Sequence, residues 1–214
     1  MAVIFSDGFE SGNFNAWTAT SGSPTVVESP VHHGNYAFQA TNLAAWAAQQ
    51  AYKTITGQST IFARMPVQFA DMPTNTYLFP LELRRTSIGK STYIGLKNVA
   101  GDYRWVIRFN DATDYTSGSN VGDVSGAYHC LEAKFVASAT VGELHLYIDG
   151  TEVITQTGLD TGTATVDRIM AEGYSYNKAQ NTTINIDCVV VADAYIGVEP
   201  SGQQLFTLIN QEDY

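Results

Sequence analysis

The 214-residue chain is short of charged residues and long apolar runs, and each shortage excludes a class of protein. Charged residues make up only 15%, and 11 basic residues against 21 acids give a formal charge of -10. A nucleic-acid-binding protein would need a basic face, so nucleic acid is not expected as a partner. No segment approaches the roughly 20 apolar residues of a membrane-spanning helix, so no membrane partner is expected either.

Cysteine is also scarce, with only Cys130 and Cys188, and both lie in apolar stretches typical of strands. They are either small buried hydrophobic residues or a disulfide, and the sequence leaves both open. No cysteine or histidine spacing is typical of a metal site. The first residues lack the basic and apolar regions of a signal peptide. We therefore expect that the chain starts at its own gene start or at a mature boundary with an added Met1.

Residues suited to strands and tight turns are plentiful, with 18 glycines, 12 tyrosines and 10 phenylalanines. The best helical candidate, Leu43–Ala51, is too short to define a fold class. Strand patterns recur every dozen or so residues between turn signals, which is typical of a sandwich or barrel. The sequence predicts an all-β fold with a two-sheet antiparallel sandwich in a single domain, residues 1–214, with a C-terminal tail from about 200 to 214.

The clearest hairpin signal is the dipeptide Asp149-Gly150 between the predicted strands Gly142–Ile148 and Thr151–Thr155, because Asp-Gly tolerates the positive φ angles of a type I′ turn. The remaining strands are predicted at Val3–Phe5, Thr25–Val27, Tyr36–Ala40, Ala51–Thr56, Ser59–Phe69, Tyr77–Arg85, Ser91–Asn98, Tyr103–Asn110, Tyr128–Ala137, Arg168–Gly173 and Thr183–Ala192.

Alternation along these strands predicts which side chains point outward. Phe79, Leu81 and Leu83 are expected inside, with Glu82 and Arg84 outside. Applied to each strand, the rule gives one set of outward residues, Arg64, Glu82, Arg84, Tyr93, Lys97, Arg104, Arg108, Glu132, Lys134, His145 and Tyr147. Whether their strands share one sheet is left open by the sequence. The segment from Arg64 to Arg108 carries a net charge of +4 in a chain of -10. This surface is either a solvated strand face or a surface that meets an anionic glycan.

The two ends of the chain hold a second candidate site. The opening Phe5–Trp17 is turn-rich and aromatic, and the closing Ile184–Gly197 is strand-like. We expect the first and last strands to meet, so that Asp7, Glu10 and Asp187 lie near each other as candidate ligands for one ion.

Five segments resemble the concanavalin A-like lectin/glucanase superfamily, and are most similar to its laminin-G-like jelly rolls and related carbohydrate-binding modules. They are the two ends of the chain, Ser29–Phe38, Tyr128–Glu132 and the hairpin Leu146–Gly150, in the same order along the chain. The resemblance implies two stacked antiparallel sheets, one concave and one convex. The fold serves lectins, hydrolases, lyases and structural modules, so it does not select among them.

The resemblance also implies a structural calcium ion. In similar modules the positions that match Glu10, Asn35 and Asp187, with Asp7 nearby, hold calcium through carboxylate and carbonyl oxygens, the ligands that this ion prefers. The alternative is that these carboxylates accept hydrogen bonds from turn amides and cap strand ends.

Three functions compete on this sequence. The first is non-catalytic binding of a polysaccharide or cell-surface glycan, with Arg64, Glu82, Arg84, Tyr93, Lys97, Arg108, Lys134, His145 and Tyr147 as candidate ligand-binding residues. The second is display on a bacteriophage virion, as a head-decoration or fibre protein that contacts other virion proteins or copies of itself. An extracellular or virion-surface location suits both. A secreted carbohydrate-binding module cut from a larger enzyme is a further alternative.

The third function is a lyase acting on a uronate polysaccharide. Leu81–Arg85 is faintly similar to a lyase strand, and Tyr93, His145 or Tyr147 could act as the base. The Gln-x-His and Tyr-x-Lys-x-Gly-x-Tyr strands of such lyases are absent. A hydrolase would need two carboxylates, for which Glu82 and Glu132 are the candidates, but the Glu-x-Asp-x-x-Glu strand of related glucanases is missing. No catalytic residue is assigned, and an enzyme is not the favoured reading.

Overall fold

The computed structural model describes residues 1–74, 76–176 and 179–198, and in this part of the chain it is almost entirely β-structure. Two antiparallel sheets pack face to face as a jelly-roll sandwich, as the sequence predicts. The one helical element in the described ranges is a single 3₁₀ turn, Thr86–Ile88. None of the described helices is long and apolar enough to cross a membrane. The predicted tail, residues 200–214, lies outside the described residues.

The first sheet has nine strands, and we call it the nine-stranded sheet. Its hydrogen-bonded order is β13 (Thr151–Leu159), β12 (Gly142–Ile148), β11 (Tyr128–Val136), β6 (Thr60–Phe69), β15 (Gln180–Ile186), β4 (Ala37–Leu43) and β3 (Thr25–Val27), with β16 (Val189–Ala192) beside β6 and β1 (Val3–Asp7) beside β16.

The second sheet has seven strands, and we call it the seven-stranded sheet. Its order is β10 (Thr113–Thr116), β9 (Asp102–Phe109), β8 (Lys90–Val99), β7 (Tyr77–Arg85), β14 (Val166–Tyr176), β5 (Ala48–Gln58) and β2 (Ala19–Ser21).

The first and last described strands meet in the nine-stranded sheet. Strand β1 pairs antiparallel with β16, so that Phe5 lies opposite Val191 and Asp7 opposite Val189. This confirms the predicted meeting of the first and last strands. The last predicted strand, Thr183–Ala192, was expected to be continuous and is instead two strands, because Cys188 has φ of +45° and breaks the ladder. Strands β15 and β16 therefore pair with β6 at different places along it.

The core lies between the sheets and is made by alternate residues of every long strand. Along β6, Ile61, Ala63, Met65 and Val67 are fully buried, as period-2 alternation requires. Leu131, Ala133 and Phe135 of β11 face the same layer, as predicted. From the other sheet, β7, β8, β9 and β14 contribute Leu81, Leu83, Ile94, Leu96, Trp105, Ile107, Phe109, Ile169 and Ala171.

A β-bulge in β7 changes the predicted facing of Phe79. Leu78 pairs with Leu96 and Leu81 with Ile94, so that two residues of β7 stand opposite the single Gly95. The extra residue turns Leu78 into the core and leaves Phe79 stacked on Tyr93 on the other face of the sheet. The prediction that Phe79 points into the core was wrong because simple alternation does not allow for a bulge.

Of two further predictions from the sequence, a hairpin is confirmed and a helix is contradicted. The Asp149-Gly150 hairpin is confirmed, with φ of +51° and +78° at its central residues and Ile148 paired with Thr151. The helical candidate Leu43–Ala51 was wrong: it contains the end of β4, a turn at residues 44–47 and the start of β5. Cys130 and Cys188 form no disulfide.

We predict that Gly95→Ala lowers the stability of the protein by about 1–3 kcal/mol, the usual cost of overpacking. An added Cβ would lie 2.0 Å from the Leu78 carbonyl oxygen and 2.8 Å from Pro80 Cδ, both in the bulge. Gly118→Ala is the matched control, because an added Cβ there meets nothing within 4 Å. Urea denaturation of both variants tests the prediction, and equal stabilities would contradict it.

Candidate functional site

The outer face of the seven-stranded sheet carries a layer of aromatic rings. Tyr77 stacks on Phe79 with ring centroids 5.3 Å apart, and Phe79 stacks on Tyr93 at 5.1 Å. Tyr174 lies 5.4 Å from Tyr93, and Tyr176 lies 5.4 Å from Tyr77. The period of 2 along β14 places Tyr174 and Tyr176 on the same face. The bulge at Phe79 fills the centre of this layer.

Trp46 extends this aromatic layer into solvent. It lies in the turn between β4 and β5, and 58% of its surface is exposed. Its backbone N–H donates to the Ser175 carbonyl oxygen, and Ala45 forms a β-bridge with Ser175. The Trp46 ring meets Tyr176 edge-on with centroids 4.3 Å apart. A large apolar ring is thus held in a fixed position although it is mostly exposed to water.

A polar network around Asp114 lies against the same tyrosines. Asp114 accepts hydrogen bonds from Tyr77 Oη at 2.6 Å, Lys97 Nζ at 2.7 Å and an Arg108 guanidinium nitrogen at 2.8 Å. Arg108 also lies over the rings of Tyr77 and Tyr176 and donates to Tyr176 Oη. Burial raises the pKa of Asp114, but the hydrogen bonds from Lys97, Tyr77 and Arg108 outweigh it and the pKa is lowered.

Two glutamates on adjacent strands form a buried carboxyl pair on this face. Glu82 of β7 accepts hydrogen bonds from the Ser91 hydroxyl and, at 3.4 Å, from Arg84. Glu172 of β14 is fully buried, and neither of its carboxyl oxygens has a hydrogen-bond partner. Burial, followed by the nearby Glu82, raises the pKa of Glu172 well above its usual value. Burial therefore favours the neutral form of Glu172 over its charged form.

The outward residues predicted from the sequence are divided between the two sheets. Glu82, Arg84, Tyr93, Lys97, Arg104 and Arg108 lie on the seven-stranded sheet, whereas Arg64, Glu132, Lys134, His145 and Tyr147 lie on the nine-stranded sheet. Alternation assigns a side chain to the inner or outer face of its own sheet, but it does not say which sheet holds the strand. Since the outer faces of a sandwich point in opposite directions, the two groups cannot contact one ligand together.

On the nine-stranded sheet, the chain itself covers two of the predicted residues. Glu132 accepts hydrogen bonds from the backbone N–H groups of Ile196 and Gly197, and Arg64 donates to the Gly197 carbonyl oxygen. Arg64 is only 1% exposed. Burial raises the pKa of Glu132. These side chains hold the segment after β16 against the sheet, so they serve the fold.

The other predicted residues of that face form an ion-pair cluster. His145 is hydrogen-bonded to Glu152 through Nδ1 and to Glu143 through Nε2, and Lys134 also pairs with Glu143. Tyr147 lies beside this cluster and packs on Tyr195. Burial raises the pKa of Tyr147 to about 12, so its hydroxyl stays protonated near neutral pH. The carboxylates of Glu143 and Glu152 therefore already bind the basic groups of this cluster, Lys134 and His145.

The predicted ion site at the chain ends lies beside a cavity of about 360 Å³ lined in part by Asp7, Glu10 and His33. Both oxygens of Glu10 accept hydrogen bonds from the backbone of Asn35. Asp187 accepts from the amides of His32, His33 and Cys188, and Asp7 accepts from Phe9 N–H and Trp17 Nε1–H. Burial raises the pKa of Asp187 to about 6.

The hydrogen bonds of these carboxylates match the alternative to calcium that the sequence left open, in which they accept hydrogen bonds from turn amides. In the described ranges, no group of three acidic, histidine or cysteine side chains is arranged to hold a metal ion. Asn35 lines a separate cavity with Glu28 and Tyr36. Asn35 is joined to Glu10 by hydrogen bonds, and a calcium ion held by Asp7, Glu10, Asn35 and Asp187 stays a prediction.

Sequence reasoning missed three residues of the seven-stranded face. Glu172 and Arg168 lie on a strand that was correctly predicted, and alternation within Arg168–Glu172 would have placed both on one face. The position of Asp114 depends on the pairing of β10 with β9, where it lies opposite Arg108. A short polar strand after a turn gives no periodic signal, so nothing in the sequence could have identified it.

No protein-family model and no curated protein matches the chain. Solved structures do. Cellulose induced protein Cip1 is similar with a TM-score of 0.70 at 14% identity, over 91% of this chain and 100% of that one. Domain 4 of AbnA, an extracellular arabinanase from Geobacillus stearothermophilus solved with arabinotriose, has a TM-score of 0.61 at 10% identity, over 90% and 92%. A double mutant of alginate lyase Aly36B with alginate tetrasaccharide has 0.55 at 12%, over 77% and 82%.

The fold therefore defines the chain as a β-sandwich of the jelly-roll type, consistent with a concanavalin A-like fold. At identities of 14% and below the likeness concerns the fold alone.

We predict that Glu172→Gln raises the free energy of unfolding at pH 8, by about 1.4 kcal/mol for each unit by which the fold raises the pKa of the carboxyl, because the wild-type carboxyl ionises in the unfolded chain and burial opposes its ionisation in the folded one. The pKa of Glu172 is higher in the folded than in the unfolded state. The wild type therefore loses stability as pH rises above the unfolded value of about 4.5 towards the folded pKa. The variant has no proton to lose, so its stability should change less between pH 5 and pH 8 in urea denaturation.

Glu143→Gln is the control for this experiment. The hydrogen bond from Lys134 is the first cause that lowers the pKa of Glu143, whose side chain is 32% exposed. Removal of the Glu143 carboxylate should leave the stability at pH 8 unchanged or slightly lower. A wild type whose stability rises steadily from pH 5 to pH 8 would contradict the raised pKa of Glu172.

Proposed function

We propose that the protein is a non-catalytic carbohydrate-binding sandwich that holds a glycan on the outer face of the seven-stranded sheet. The observation that carries the proposal is Trp46, an exposed indole fixed by Tyr176 beside Arg108. Sugar rings present apolar C–H faces and polar hydroxyls, so they bind where an aromatic platform lies next to fixed polar groups. The network of Asp114, Lys97 and Arg108 supplies such groups.

The solved structures support this proposal without establishing it. Two of the similar sandwiches were solved with bound oligosaccharides, one with arabinotriose and one with an alginate tetrasaccharide. Sandwiches of this fold serve several functions, so the residues of the site, and not the fold, decide which function this chain has.

We predict that Trp46→Ala weakens the binding of the chain to its polysaccharide at least tenfold and leaves the melting temperature almost unchanged. Buried tryptophans at binding interfaces commonly contribute about 2 kcal/mol or more, whereas an exposed one contributes little to folding. Affinity gel electrophoresis against a panel of neutral and anionic polysaccharides measures the binding.

Tyr195→Ala is the matched control, because Tyr195 is 45% exposed but packs on the nine-stranded sheet against Tyr147 and Phe62. It should bind like the wild type. If both variants lose binding equally, or neither does, the platform at Trp46 is contradicted.

A polysaccharide lyase is the second candidate, favoured by the contact of Tyr77 Oη with the Asp114 network that contains Lys97 and Arg108. A lyase needs a base that removes a proton beside a uronate carboxylate and a cation that neutralises that carboxylate. Burial raises the pKa of both Tyr77 and Tyr93, which keeps these hydroxyls protonated and favours binding over elimination. A rise in ultraviolet absorbance from unsaturated uronate during incubation with alginate would favour the lyase instead.

Two further proposals remain from the sequence. Calcium at the chain ends is supported by the desolvated carboxyls of Asp7 and Asp187 beside the cavity, since a cation would offset their burial. Its test is a calcium-dependent rise in melting temperature.

Display on a virion is supported only by the sequence, and its test is the oligomeric state of the purified protein by light scattering.

A further inference from the structure

Two arginines stand directly opposite each other on the proposed glycan-binding face. Arg84 of β7 pairs in register with Arg168 of β14, and both side chains point away from the core. Like charges directly opposite each other on neighbouring strands are destabilising.

Neither guanidinium is well satisfied within the described part of the chain. Arg168 lies over the ring of Tyr52 at 4.3 Å, no described residue accepts a hydrogen bond from it, and its Nε is buried without a partner. Arg84 has one acidic contact, Glu82 at 3.4 Å, which is beyond the usual range of a strong hydrogen bond, and its side chain is 37% exposed. Both arginines therefore retain donors for a ligand.

The acids near this pair do not bind it strongly. Glu82 also accepts a hydrogen bond from Ser91. Burial raises the pKa of Glu172, the second acid near Arg84, and so disfavours its charged form. Asp167, next to Arg168 in the chain, accepts hydrogen bonds from the backbone amide and hydroxyl of Thr86 and not from either arginine. A negative group from outside the protein can therefore bind the donors that both arginines retain.

We propose that Arg84 and Arg168 bind an oxyanion substituent, a carboxylate or a sulfate, of an anionic polysaccharide. The planar guanidinium matches such groups with two parallel hydrogen bonds, which lysine cannot do. This inference rests on the proposed function, because it names the class of glycan that the same face binds. The proposed binding of the anionic group is confined to these two arginines, because the overall charge of -10 repels a polyanion.

The distance between the arginine pair and the aromatic platform sets a minimum length for the ligand. Arg168 and Tyr176 are eight residues apart on β14, which corresponds to roughly 26 Å along an extended strand. A ligand that reaches both Trp46 and the arginines must therefore be an oligosaccharide of several units. A monosaccharide uronate would contact only one of them and bind weakly.

The test compares Arg168→Gln and Arg84→Gln with the wild type on matched pairs of polymers. Polygalacturonate is compared with its methyl ester, and dextran sulfate with dextran, so that each pair differs only in the anionic group. We expect the wild type to prefer at least one anionic member. Each variant should lose about tenfold in affinity for that member, in line with the loss of a charge-assisted hydrogen bond, and keep its affinity for the neutral one.

Stability separates a ligand-binding arginine from a structural one. Removal of Arg168 relieves a cross-strand repulsion and a buried Nε without a partner, so Arg168→Gln should melt at the wild-type temperature or above it. If Arg168 were instead a structural residue, held by its contact with Tyr52, its replacement would lower the melting temperature of the protein. The loss of binding without loss of stability is the expected signature.

Arg104→Gln is the matched control, because it removes the same charge from the same sheet but from an arginine paired with Asp102. It should bind anionic polymers like the wild type, and an equal loss in this variant would show a general charge effect and overturn the assignment. If a neutral polymer binds and the anionic member binds no better, the inference fails while the proposed function stands. If no polymer binds, both fail. The polymer pair that shows the preference identifies carboxylate or sulfate as the group.

Discussion

Every long strand of this protein must bury one of its two faces, and the whole structure depends on this constraint. The hydrophobic side chains of two sheets interleave in one core, and burial of apolar area is the main favourable term in folding. Since successive residues of a strand point in opposite directions, the constraint also decides which polar residues reach the outside. The candidate site is the outer side of strands whose inner side is the core.

The bulge at Phe79 shows how a departure from this alternation creates the aromatic layer of the seven-stranded sheet. One additional residue opposite Gly95 brings a large aromatic ring out of the core and places it between Tyr77 and Tyr93. The tyrosines of β14 then pack around it. The aromatic layer is rigid because its centre is fully buried, and a rigid platform loses little entropy when it binds a ligand.

The two outer faces also differ in how fully their charged groups are paired. On the nine-stranded sheet the charged groups pair with each other or hold the segment that follows β16, so they are internally satisfied. On the seven-stranded sheet, Asp114 pairs with Lys97 and Arg108, but Glu172 and the Nε atoms of Arg108 and Arg168 are left with unmet hydrogen bonds. Buried polar groups without partners cost stability, so their concentration on one face distinguishes that face from the other.

The sequence by itself determined the all-β class, most of the strands, the Asp149-Gly150 hairpin and the meeting of the two ends, because these follow from local turn chemistry and from period-2 patterns. It also indicated which residues point outward on most strands. Only the tertiary structure decided which sheet holds each strand, and so separated Arg64, Lys134, His145 and Tyr147 from Glu82, Arg84, Tyr93, Lys97 and Arg108. Strand pairing joins residues far apart in the chain, as Arg84 with Arg168, and alternation carries no information about the partner.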